Sequence, residues 1–366
     1  MLIFGAAFAA EIRAAIAAAF PGHTRTIIGG TVVVMIAAAL VLAARRIGGP
    51  VRGPVGGRRG LRYLALSAAI VVGALFARRF GSGDADVDVV ESFHFIEYGV
   101  LTLLFYRAWR PIDDPSVFVL PALAALLVGT LDEWLQWFVP SRVGEMRDVV
   151  LNGVAIACGL LFSVGVSPPA HFTLLLRRGS AMRLGSAAIV VIVVLAMFFQ
   201  TIHLGHNVGD LEIGTFRSRY SRAQLESEAK ARTGRWREEA RSALGRLSRE
   251  DQYVAEGLWH VRRRNQAVAD GDMFTAWREN RILETFYTPL LEAGRDQSAT
   301  GFGWPAEQRA QAARIAGNDR GPYASDAAPM PIYEWSKPVF WMVVALAVTT
   351  ILGISVSAGK KEQPGS

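Results

Sequence analysis

Glu91, His94 and Tyr98 stand three and four residues apart, a spacing that puts a carboxylate, an imidazole and a phenol on one helix face. Glu133 and Gln136 share a face in the same way. So do Asp148 and Asn152, and a turn containing Pro140 and Arg142 separates the two pairs. The chemistry open to this set is binding or proton transfer. An imidazole titrates near neutrality, so His94 can act as acid or base, with Glu133 or Asp148 orienting it. Arg142 can hold a phosphate or carboxylate through two parallel hydrogen bonds. A purely structural role competes with this, since the same groups can hydrogen-bond across helices and lock a bundle. Metal binding is poorly supported: Glu91, His94, Glu97 and Glu133 offer one histidine only. His203 and His206, with Asp210 and Glu212, follow an apolar run directly, where solvated polar residues are ordinary. No metal and no cofactor is expected.

The elements carrying these residues are membrane spans. Hydrophobic residues make up 51% of the chain and charged ones 19%, and the apolar residues fall into blocks near the length of about 20 residues that a helix needs to cross a bilayer. The blocks run Thr26–Ala44, Leu61–Ala77, Ser92–Trp109, Ser116–Phe138, Val149–Val166, Leu184–Phe199 and Pro338–Val356. Met1–Phe20 is an eighth block with Glu11 and Arg13 at its middle; spanning is favoured over lying in the interface. The Arg45–Arg62 segment, the Arg177/Arg178/Arg183 loop and the Lys360/Lys361 tail all fall on one side of such a topology, which the positive-inside rule makes cytoplasmic. The net charge of +7 is therefore a topology signal and not a nucleic-acid surface. Both termini are then cytoplasmic and residues 201–337 extracytoplasmic. At 1.5 Å per residue, the three polar faces meet within roughly 10 Å of the outer boundary.

The long polar insert reads as helical over Ser221–Arg249, Asp251–Gly271 and Asp272–Ala293, where good helix formers dominate. Ala299–Met330, rich in Gly, Pro, Asn and Asp, reads as irregular loop, and no strand alternation is apparent. Trp236, Trp259, Trp277 and Phe286 are the expected core aromatics, and the Arg262–Arg264 run reads as a solvated face. Cys158 stands alone in an apolar block, so no intramolecular disulfide forms. The expected fold is an all-α polytopic transmembrane bundle of about eight spans, with an extracytoplasmic helical insert before the last span. Its parts are 1–83, 84–166, 167–200, 201–337 and 338–366.

Two segments, ESFHFIEYGVLTLLFYRAW and GTLDEWLQWFVPSRVGEMRDVVLNGVAIACGLLF, resemble the VanZ family, named for a teicoplanin-resistance protein. The shared pattern is a histidine with an aromatic four residues on, an acidic–Gln pair, a Pro-x-Arg turn, and Asp with Asn. Here those are His94 and Tyr98, Glu133 and Gln136, Pro140 with Arg142, and Asp148 with Asn152. Many members carry Asp-Lys just before the histidine's turn; Val90 and Glu91 stand there instead. The resemblance implies a bacterial inner-membrane protein of the cell envelope and supplies no reaction. The convergence of His94, Glu133, Arg142, Asp148 and Asn152 at one depth points to a membrane lipid or lipid-linked envelope precursor as ligand, bound first and processed second. A rival is a scaffold or sensor whose 201–337 domain recruits an envelope protein. Transport is disfavoured, because the inner halves of the polar spans hold only Thr102, Ser163 and small residues.

Overall fold

Long apolar runs become long helices. The computed structural model describes residues 15, 18–49, 59–80, 85–138, 144–211, 213–245, 252–293, 302–317, 322–325 and 331–360. The described membrane helices are α1 (Thr24–Gly48), α2 (Arg59–Phe80), α3 (Ala85–Trp109), α4 (Ser116–Phe138), α5 (Met146–Val166) and α6 (Arg178–His203), with one more near the C-terminus. Among the described residues, six helices are long and apolar enough to cross a membrane. The expected Ser92–Trp109 span is not among the six. It forms inside the 25-residue α3, whose Glu97, Arg107 and other polar residues lower its apolar content. The expected Met1–Phe20 span lies almost wholly outside the described residues.

Close crossings between helices are built on glycine. A Cβ at Gly159 of α5 would stand 2.7 Å from the Gly99 carbonyl oxygen of α3, so neither helix tolerates a larger residue there without moving. Gly165 lies as closely against α2, where a Cβ would meet the Arg62 carbonyl oxygen at 2.9 Å. Arg62 itself is 4% exposed, donating from Nε to the Gly165 carbonyl (2.8 Å) and from Nη2 to the Val166 carbonyl (2.9 Å). A cation thereby satisfies the last carbonyls of α5, at the negative end of its dipole. Tyr98 and Leu101 of α3, Ala125 of α4, and Ala155 and Ile156 of α5 form one buried cluster. Thr102 and Ser163 each donate to a carbonyl four residues back in their own helix, Tyr98 and Gly159.

The chain divides into two compact units: residues 1–136, 144–198 and 342–366, and residues 137–143 with 199–341. The second unit opens with strands, which corrects the expectation of an insert without them. β1 (His206–Asp210) pairs antiparallel with β2 (Gly214–Ser218), and β3 (Ala324–Ser325) lies parallel to β2. These strands bury few positions, chiefly Val208, Phe216 and Ser218, so no period-two alternation develops in the sequence. Helices α7 (Arg222–Gly245), α8 (Gln252–Ala269), α9 (Met273–Phe286), α10 (Thr288–Ala293) and α11 (Ala306–Ala316) follow, and α12 (Lys337–Lys360) ends the described chain. Asp272 caps α9 by accepting from the Thr275 N–H at 3.0 Å.

The Ala299–Met330 stretch is not simply irregular, since it contains α11 and β3. Pro305 precedes an Ala-rich run of strong helix formers there, and the flanking Gly and Pro residues hid it. The unit's core gathers Phe216, Leu225, Tyr253, Ile282, Phe286 and Tyr287. Trp259 and Trp277 are only half-buried and stand outside that core, a second correction; the side chain of Trp236 lies outside the described residues. The arginine run is corrected too. Arg262 is exposed, but Arg264 is fully buried, donating from Nη1 to Asn280 Oδ1 and from Nη2 to the Phe302 carbonyl, each at 3.1 Å.

Candidate functional site

Tyr98 starts the site. It is 2% exposed, one residue before the Gly99 crossing, and its hydroxyl donates to Asp132 Oδ2 at 3.1 Å. Gln136, one turn further along α4, donates its amide to the same Asp132 oxygen (2.8 Å) and to Glu133 Oε1 (3.3 Å). A phenol, two carboxylates and an amide are thus linked inside the bundle. Asp132 was the residue that sequence spacing missed. Glu133 and Gln136 are three apart, but Asp132 and Gln136 are four apart, and it is the second pair whose oxygen also faces α3.

Asn152 comes to the cluster from α5. It is 0% exposed, and its amide lies against Gly129, where a Cβ would meet Asn152 Nδ2 at 3.3 Å and Tyr98 at 3.1 Å. Gly129 therefore makes the space that lets three helices approach at this level. Neither the oxygen nor the nitrogen of the Asn152 amide has a hydrogen-bond partner among the described residues. Asp148, the other member of its pair, is half-buried, with Arg147 Nη1 at 3.7 Å from Oδ1. Glu91 and His94 lie in α3, but their side chains fall outside the described residues, as do Pro140 and Arg142 altogether. Of the eight residues singled out by sequence, the structure brings Tyr98, Glu133, Gln136 and Asn152 into one place and sets Asp148 one turn away.

On the other side of the α3–α5 seam lies a cavity of about 620 Å³, bounded by α1, α2, α3 and α5. Its wall is apolar, with Val32, Leu66, Phe95, Leu151 and Phe162 among the lining residues. Cys158 also lines it. Phe95 and Ala155 face the cavity and also pack in the Tyr98 cluster, so the two features share a wall.

The second unit has a polar interior of its own. Glu279 accepts from Tyr323 and Ser325 (2.5 Å each) and from Arg263 Nε (3.1 Å) on one oxygen, and meets His260 Nδ1 at 2.6 Å on the other. Burial pushes its pKa up, but the adjacent His260 and these hydrogen bonds outweigh that and hold it below the ordinary carboxylate value. Glu256 accepts from the Ser218 hydroxyl (2.5 Å), the Arg219 N–H (3.0 Å) and the Tyr287 hydroxyl (3.1 Å), yet complete burial keeps its pKa raised. Burial likewise lowers Arg264 to about 10. Glu256, His260 and Arg264 recur every four residues along α8, and that polar stripe was the sequence signal for this buried face. His203 and His206 do not act together: His203 is buried with Nδ1 against the Pro331 carbonyl at 2.9 Å, whereas His206 is exposed.

Residues 61–167, from α2 through the end of α5, match the VanZ/LLP1 family. The matched stretch contains the whole polar cluster and three of the four helices around the cavity. No curated protein and no solved structure matches the chain.

Proposed function

We propose, from the premise that this chain is a VanZ-like multi-pass membrane protein, that it binds an amphipathic or lipid-linked molecule of the bacterial cell envelope at the Tyr98–Asp132–Gln136–Asn152 cluster. The observation that carries this is Asn152, a fully buried amide with no hydrogen bond among the described residues. Leaving such a group unpaired costs about 1–3 kcal/mol, and a ligand able both to donate and to accept would remove that cost. The carboxylates beside it favour a head that presents N–H or O–H donors, such as a sugar or an amine. His94, Glu91, Arg142 and Asp148 complete the pocket in this proposal, with Arg142 available to a phosphate or carboxylate. Binding comes first and processing second, because a buried polar cluster within spans marks a site without naming a reaction.

The positive-inside pattern of the short loops supports a cytoplasmic-membrane location with residues 201–337 on the extracytoplasmic side. That orientation opens the cluster toward the outer leaflet. A second proposal, a scaffold whose 201–337 domain recruits an envelope protein, draws on one observation: residues 199–341 have a hydrophobic core of their own.

Mass spectrometry of lipids co-purified with wild type, Asn152→Leu and Tyr98→Phe separates the two. Ligand binding predicts one lipid enriched with wild type and lost from both variants. Identical profiles from three folded proteins would sink it, and a deletion of the insert that alone abolishes function would leave the scaffold.

A further inference from the structure

We infer that the cavity between α1, α2, α3 and α5 holds the hydrocarbon chain of the amphipathic ligand whose head meets the Tyr98–Asn152 cluster, an inference that rests on the binding function proposed above. Its apolar wall offers water almost nothing to bond, so hydrocarbon is the occupant that fits. Its volume of about 620 Å³ is in the range of specific ligand cavities, roughly 300–1,000 Å³. The surroundings agree. α1 and α2 turn Val33 (65% exposed), Leu64 (64%) and Leu75 (61%) outward, as spans immersed in acyl chains do.

Register adds the strongest reason. Along α5 the lining runs from Leu151, the neighbour of Asn152, to Phe162, which is about 16 Å at 1.5 Å per residue. Along α3 it runs from Phe95, one turn before Tyr98, to Leu103. The polar cluster lies across the α3–α5 seam near the Leu151 and Phe95 end of the slot, on the N-terminal side of the Gly99–Gly159 contact, and the apolar wall continues away from it. That is the arrangement of a head and an extended tail. The Gly99–Gly159 crossing forms a wall that cannot close further, because the two backbones already touch there.

The test uses the full-length protein in detergent and two probes with the same uncharged sugar head, a short-chain and a long-chain prenyl glucoside. Each pair of buried methylenes is worth about tenfold in affinity, so the long chain should bind wild type at least about 100-fold more tightly. Ala39→Phe and Ala69→Phe, which fill the slot from two different helices, should each cut that ratio tenfold or more. Asn152→Leu should weaken both probes alike and leave the ratio intact. Equal affinity of wild type for the two probes, or a ratio untouched by either filling variant, would overturn the inference. Should the filling variants not fold, Cys158 reports instead: the long-chain probe should slow its reaction with a membrane-permeant maleimide, and an unchanged rate would refute chain occupancy. An Asn152→Leu protein indistinguishable from wild type, with the chain-length ratio kept, would remove the head assignment while upholding the slot. Dimerisation of wild type that both filling variants abolish would assign the slot to a helix of a second copy and overturn the inference.

Discussion

Two buried polar clusters in this chain are saturated to different degrees. In the insert, both carboxylate oxygens of Glu279 and of Glu256 are bonded, and residues on three separate elements and the loops beside them supply the donors. In the membrane unit, Tyr98, Asp132 and Gln136 satisfy one another, while Asn152 beside them has no bond among the described residues. His260 Nε2, Asn280 Nδ2 and Trp304 Nε1 are also unbonded in the insert; the first two side chains each keep another hydrogen bond, and the Trp304 indole stands outside the Glu279 and Glu256 networks. A saturated network is explained by the fold it holds together. An amide buried with nothing to bond is what the proposed ligand would satisfy.

The largest test of that contrast is Glu279→Ala. It strands His260, Arg263, Tyr323 and Ser325 at once, and the loss of one partner from a buried ion pair costs about 3–5 kcal/mol. Chemical unfolding of the insert, followed by tryptophan fluorescence, should show a destabilisation of that size; a change below about 1 kcal/mol would make the network a surface-like feature. Next in size is Gly159→Val. Its branched side chain has no room against the Gly99 backbone, so overpacking should cost about 1–3 kcal/mol or more, read as a lower melting temperature and disturbed packing of the membrane unit.

Asn152→Leu should move the opposite way. Replacing an unsatisfied amide with an apolar side chain of similar volume should leave melting unchanged or raise it by up to about 1 kcal/mol equivalent, while ligand retention falls. A clear loss of stability without ligand would show that Asn152 is bonded after all, and the contrast between the two clusters would disappear. The smallest effect is in pH dependence. Glu279 is held below 4.5 in the folded protein, so the stability it contributes is complete above that pH and is lost as pH falls through its depressed folded value. Glu256 is raised above 4.5, so its contribution is complete below 4.5 and is lost as pH rises through its folded value. Unfolding of the insert across this range should lose its acid-side slope in Glu279→Gln and its opposing slope in Glu256→Gln. An unchanged profile in both would remove these two residues from the balance.

Much of the membrane unit was legible in the residues alone. Apolar block length located the spans because crossing hydrocarbon requires every backbone group to bond within its own helix, which is a local demand. Three- and four-residue spacing put Glu133 with Gln136 on α4 and Tyr98 on the polar face of α3, and the same motifs carried the VanZ resemblance. Tertiary structure decided which oxygen Tyr98 would meet, and it is Asp132. It also decided that Arg264 and Glu256 are buried and that two short strands and a third open and close the insert. The apolar slot beside the polar cluster was likewise invisible in the sequence. Spacing within one helix shows which residues share a face, but how that face is turned toward its neighbours depends on the crossings. Here those crossings are set where Gly99 meets Gly159 and where Gly165 meets α2, contacts between residues far apart in the chain that no local pattern contains.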